Sequence, residues 1–174
     1  MATENTENKE NVTESEDTPR SNFFDTKKNE EIVKGKVESF SIKELLSKGY
    51  LTQKVNLTED QTVTFMTIEH GVEFIIDRIV ESYIDEGANR SRISLTAYVA
   101  AHIQDISGQP LIMPPLEYNG DNNEEFQAYL EAKIRKLMTY NSHFIKLITT
   151  HYFWFQERVH EFFKNEFMDN LENF

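Results

Sequence analysis

Five histidines, at positions 70, 102, 143, 151 and 160, are the side chains in this chain best suited to metal or proton chemistry. No two are three or four residues apart, so no pair of imidazoles falls on adjacent turns of one helix, the arrangement zinc needs. His160-Glu161-Phe162-Phe163-Lys164 starts like a zinc-protease motif but carries Lys164 where the second histidine would stand. Asp121-Asn122-Asn123-Glu124-Glu125 starts like a calcium loop, yet lacks the central glycine and the distal glutamate. Carboxylates at a helix N-terminus, where they complement the macrodipole, explain it better. The glycines at 35, 49, 71, 87, 108 and 120 are isolated, so no loop can cradle a phosphate. No serine or threonine sits in a nucleophile elbow, and the chain has no cysteine. The expectation is a protein without catalytic residues, metal ligands or cofactor.

Charge narrows the partners. Thirty acidic against 18 basic residues leave a net charge of −12, which repels phosphate backbones and anionic membranes at long range. Neither nucleic acid nor a membrane is therefore expected as a partner. Arg90 and Arg92 share a turn, and Lys133, Arg135 and Lys136 decorate one helix segment; both groups lie among acids and read as solvated faces. No apolar run approaches the ~20 residues of a membrane span. The N-terminal stretch MATENTENKENVTESEDT has neither a basic n-region nor an apolar h-region, so no secretory signal is expected. With no cysteine, a reducing cytoplasm is the expected compartment.

The most informative residues are aromatic. HYFWFQERVHEFFKNEF, His151 to Phe167, holds too many rings for a solvated tail. At 100° per residue, Ile145, Ile148, Tyr152, Phe155, Val159, Phe162 and Phe163 share one arc, which predicts a helix with its greasy side in the core. Trp154 falls outside that arc, one heptad after Leu147, with Phe153 at an edge. It is either covered by another part of the chain or presented to a partner. Phe23 and Phe24, which interrupt an otherwise polar arm, read either as a docking peptide or as a linker that brushes its own domain. Leu147, Phe153, Trp154, Phe23 and Phe24 are the candidate partner-binding residues.

The elements that would position them follow from local pattern. Residues 1–38 are poor in apolar side chains and read as a disordered acidic arm; residues 39–174 read as one helical domain. Ser41 and Glu44 form a capping-box pattern, and Gly49 stops the short helix they open. Val55 and Leu57, then Val63 and Phe65, alternate with polar neighbours, predicting an antiparallel hairpin within about 50–68, joined through Thr58 to Gln61. Helical spacing then takes over. Val72, Ile75, Ile76, Ile79, Val80 and Tyr83 form one stripe ended by Gly87. Leu95, Tyr98, Val99, His102 and Ile106 form another, on a helix from about Ile93 to Asp105. Phe126, Leu130, Ile134, Leu137 and Met138 form a third, opened by Asn122-x-x-Glu125. The fold class is mainly α, strictly α+β: about five helices and one small antiparallel hairpin, the hairpin lying across the helices around Ile68–Tyr83 and Ile145–Phe163.

With the elements placed, three stretches carry a family resemblance. They are FSIKELLSKGYLTQKVNLTEDQTVTFMTIE, AYVAAHIQDISGQPL with its I-x-x-I-x-G-x-P-L turn, and the C-terminal helices ending in LENF. Over roughly Ser39 to Phe174 the pattern resembles the tail assembly chaperones of tailed bacteriophages and related small tail or baseplate proteins. The resemblance implies a small acidic, non-enzymatic protein in the host cytoplasm that binds the tape-measure protein, tail-tube or baseplate subunits during virion morphogenesis. It transfers no functional residue position by position. The arm at 1–38 is not typical of that pattern and leaves open a structural role in the virion, in the tail, baseplate or head-tail region. A homo-oligomer is compatible with either.

Overall fold

In a computed structural model of the 174-residue chain, the described residues are 40–85 and 87–168. The arm at 1–38, and Phe23 and Phe24 with it, lies outside them. Helix α1, Ile42–Lys48, begins where the Ser41 hydroxyl accepts from the Lys43 amide at 3.2 Å. The expected capping box is only half made. The Glu44 carboxylate turns away from the cap to take the Lys48 ammonium at 3.0 Å and the Thr52 hydroxyl at 2.9 Å. The Lys48 bond holds the Glu44 carboxyl below its ordinary range, and the Thr52 bond ties α1 to the sheet. Gly49, at φ 79°, supplies the left-handed residue that ends the helix, a conformation costly for any side chain.

Strand β1, Thr52–Asn56, pairs antiparallel with β2, Thr62–Met66, placing Val55 opposite Val63. The turn closes with the Leu57 amide on the Gln61 carbonyl at 2.8 Å. Helix α2, His70–Asp85, buries Val72, Ile75, Ile76, Ile79 and Val80, as the stripe requires. Tyr118 approaches its first turn so closely that a Cβ on Gly71 would lie 2.5 Å from the phenol oxygen, which is why a glycine fits there. Helix α3, Arg90–His102, starts on Asn89, whose side chain accepts from the Arg92 amide at 3.0 Å.

The helix expected to reach Asp105 stops at His102 instead. Ile103–Ile106 is a third strand, β3, pairing antiparallel with β2 so that the sheet runs β1-β2-β3. Ile106, expected on a helical stripe, is a strand residue opposite Val63. Ser107 and Gly108, both at positive φ (53° and 78°), turn the chain tightly back on Gln109, the geometry of a type I′ turn. Helix α3 is embraced on several sides, by α2, α4, α5 and β3. Its buried positions are accordingly Ile93, Ala97, Val99, Ala100, Ala101 and His102, while Leu95 and Tyr98 are half-buried. Small residues let neighbouring backbones approach this central helix.

Helix α4, Asn123–Met138, buries Phe126, Leu130, Ile134 and Leu137. Two expectations fail on it. Met138, assigned to the apolar face, is 48% exposed. Lys133, assigned to a solvated face with Arg135 and Lys136, is buried. Asn122 does not cap α4 either: its side-chain oxygen accepts from the Asn119 amide and its amide donates to the Glu117 carbonyl, closing the preceding loop. Glu124 and Glu125 in the first turn face the positive end of the helix. Helix α5, Ser142–Phe163, opens on Asn141, whose side chain accepts from the His143 and Phe144 amides, and passes into a π-helical turn, Lys164–Met168.

The core is continuous. Tyr152 and Phe155 of α5 lie against β2, where Phe155 stacks on Phe65 at 5.6 Å between ring centroids; Ile148 is buried in the same cluster, and α5 also touches α3. Each large apolar side chain fully buried here contributes about 1.5–3 kcal/mol relative to exposure.

Candidate functional site

The predicted residues on α5 do not share one face. Phe153 points outward, 54% exposed, touching the Tyr152 ring at 5.6 Å. Trp154 is half-buried on another side, its indole meeting the His151 ring edge-on at 5.0 Å. Leu147 is half-buried against the core cluster. Trp154 is thus neither sealed nor fully presented, and Phe153 is the more accessible aromatic.

Sequence reasoning missed Phe74, which is 61% exposed on α2. The signal was present, because Phe74 falls opposite the Val72–Ile75–Ile76–Ile79 stripe just as Trp154 falls off its own. Its ring rests edge-on against His70 at 4.8 Å, and His70 in turn meets the Glu73 carboxylate at 2.6 Å. Beside Phe74 runs a row of carboxylates: Glu73, Asp77, Glu81 and Asp85 occupy successive i+4 positions of α2. Such like-charged pairs oppose helix formation by about 0.2–0.5 kcal/mol each. Glu81 is matched by Arg90 at 2.8 Å, while Asp85 lies in a last turn that has no basic residue, where the helix dipole disfavours it. Asp85→Lys is therefore expected to raise stability by about 0.5–1 kcal/mol, read as a shift of the urea midpoint, with the gain shrinking as salt is added.

Among the described residues, two histidines and a lysine are buried, and they do not meet in a cavity. His102 bonds through Nδ1 to the Tyr98 carbonyl at 2.8 Å and packs on Tyr152 at 5.0 Å; burial pushes its pKa down to about 4. Lys133 donates to the Ile103 carbonyl at 2.7 Å, with the Ala101 carbonyl at 3.5 Å and the Tyr129 ring 5.7 Å away. Burial lowers its pKa to about 7. His151, lowered by burial, lies against Trp154. Each is used in packing or in closing a helix end, and none faces open space with a second acid or base.

A cleft of about 610 Å³ lies between the Ser107–Gly108 turn and the α4–α5 junction, lined in part by Gln109, Leu111, Lys136, Tyr140 and Phe144. None of His102, Lys133 and His151 lines it. Among the described residues, no group of three histidine, aspartate or glutamate side chains could hold a metal ion. No helix among them is long and apolar enough to cross a membrane. The arrangement can grip a partner through exposed rings on an acidic background. No family model, curated protein or solved structure matches the chain.

Proposed function

We propose that this chain is a tail assembly chaperone of a tailed bacteriophage, a non-enzymatic acidic carrier that holds a tail protein, the tape-measure or tail-tube subunit, until it is assembled. The observation that carries the reading is that large rings are left outside a well-filled core, Phe74 at 61% and Phe153 at 54% exposure the most open of the described ones, on a chain of net charge −12. Exposed aromatics supply contact area at small entropic cost, while a net negative charge keeps copies of the carrier apart. The resemblance of the three quoted stretches supplies the phage context.

Two measurements test it. Co-expression with candidate tape-measure and tail-tube proteins is expected to yield a soluble complex by pull-down. Mass spectrometry of purified virions is expected to find the chain absent or far below the stoichiometry of tail subunits. Stoichiometric presence would replace the chaperone by a structural component of the tail, baseplate or head-tail region.

A further inference from the structure

We infer that the cleft between the Ser107–Gly108 turn and the α4–α5 junction binds a small organic acid, a flat apolar body carrying one carboxylate. Its apolar lining suits the body. Leu111 is buried, Ile106 is half-buried, and the half-buried rings of Tyr140 and Phe144 lie 5.3 Å apart. At about 610 Å³ the cleft falls within the ~300–1,000 Å³ of small-molecule sites. Its two walls are fixed by bonds of their own. The Ser107 amide donates to the Thr62 carbonyl at 2.8 Å, and the Thr62 amide to the Ser107 hydroxyl at 3.4 Å. Across the cleft, the Asn141 side-chain oxygen accepts from the His143 and Phe144 amides at 2.8 and 3.3 Å, which sets the start of α5.

The polar lining selects the charge. Among the described residues, the side chains of Gln61, Gln109, Lys136 and Tyr140 make no hydrogen bond or ion pair. Asn141 has spent its oxygen on α5 and keeps only its NH₂ to offer. Lys136, Tyr140 and Asn141 can thus each donate to one acceptor-rich group, and an ammonium–carboxylate bond is among the stronger ones. No aspartate or glutamate lines the cleft, although the chain holds 30 acids against 18 bases. A cationic ligand would meet Lys136 with no acid to hold it. A phosphate would call for a second cation, and the lining has no other lysine or arginine. The net charge of −12 acts from further off and is screened over about 8 Å at physiological salt, so the nearby side chains decide.

The test uses the full chain and three probes of one shape: biphenyl-4-carboxylate, biphenyl-4-carboxamide and 4-phenylbenzylamine. Titration followed by amide chemical shifts is expected to show the carboxylate binding about fivefold more tightly than either of the others. The shifts should centre on residues 106–111 and 136–144. Bulk charge alone would put the amine first, so the order of the probes separates local from global electrostatics. Lys136→Met should lower carboxylate affinity about fivefold, to that of the carboxamide, and leave carboxamide binding unchanged. Lys136 is exposed, so the melting temperature should stay within a degree or so. Lys146→Met, an exposed lysine of α5 outside the cleft, should change nothing. Amine binding as tight as carboxylate binding would overturn the inference, as would shifts centred elsewhere or an unaltered Lys136→Met variant. Tenfold tighter binding of the peptide Glu-Phe-Asp would make a polypeptide segment the occupant and overturn it too. Phe74 and Phe153 do not line the cleft, so this site and the carrier function fall separately.

Discussion

Raising the pH from 7 to 9 is expected to stabilise this protein by on the order of 2–3 kcal/mol through Lys133, and Lys133→Met is expected to abolish the gain. Lys133 sits in the interior with its amine on the Ile103 carbonyl, and burial lowers its pKa from 10.5 to about 7. Between those two values the unfolded chain binds a proton at this site that the folded chain does not, so stability rises with pH across that window. Below about pH 7 both states are protonated and the full cost of burying the ammonium is present. The nearby ionisable groups are His102, which adds a positive charge only in acid, and Tyr129, whose hydroxyl is raised by burial. Neither titrates between pH 7 and 9, where urea unfolding of the two proteins should diverge most clearly. At pH 10 the native amine still donates to the end of α3, so the methionine variant is expected to be the less stable, by about 1–3 kcal/mol for the carbonyl left unpaired. Parallel stability curves for the two proteins would show that Lys133 is not buried as the structure has it.

Phe155→Ala is expected to cost about 3–5 kcal/mol, a large share of the stability of a domain this size. Phe155 is 1% exposed, stacks on Phe65, and meets the rings of Phe40 and His102 edge-on at 6.0 and 6.2 Å. Its removal leaves a void between α5 and β2 that these three ring neighbours cannot fill without leaving their rotamers. Along the same helix the cost should fall with exposure. Half-buried Trp154→Ala should cost about 1–2 kcal/mol, and Phe153→Ala close to nothing. Thermal and urea unfolding of the three variants gives the order directly. A Phe153→Ala loss comparable to that of Phe155 would mean that Phe153 is structural, and would remove one of the exposed rings on which the proposed function rests.

What local pattern determined by itself is the helical skeleton and most of its buried side. Periodicities of 3.6 and 2 put Val72, Ile75, Ile76 and Ile79 inside, put Phe155 inside, and made an antiparallel hairpin of the segments around Val55 and Val63, because each requires only neighbours a few residues away; the register, Val55 opposite Val63, is one residue from the one a Thr58–Gln61 connection implies. Asn89 and Asn141 cap their helices through bonds of equally short range. The candidate site was legible only in part. Phe153 was found at the margin of a stripe, and the same angular criterion applied to α2 would have found Phe74.

The end of α3 was decided by tertiary structure. Leu95, Tyr98, His102 and Ile106 continue a helical pattern, and no glycine or proline interrupts the chain at Ile103. The chain leaves the helix there because β2 offers Ile103–Ile106 a ladder, and because Lys133, thirty residues along the chain, reaches in to satisfy the Ile103 carbonyl. Both bonds are long-range in sequence. The same long-range fact buries a lysine whose helix segment looks solvated, since a side chain's environment is set by what packs over it. Burial is therefore readable from periodicity only where a residue's own helix decides it.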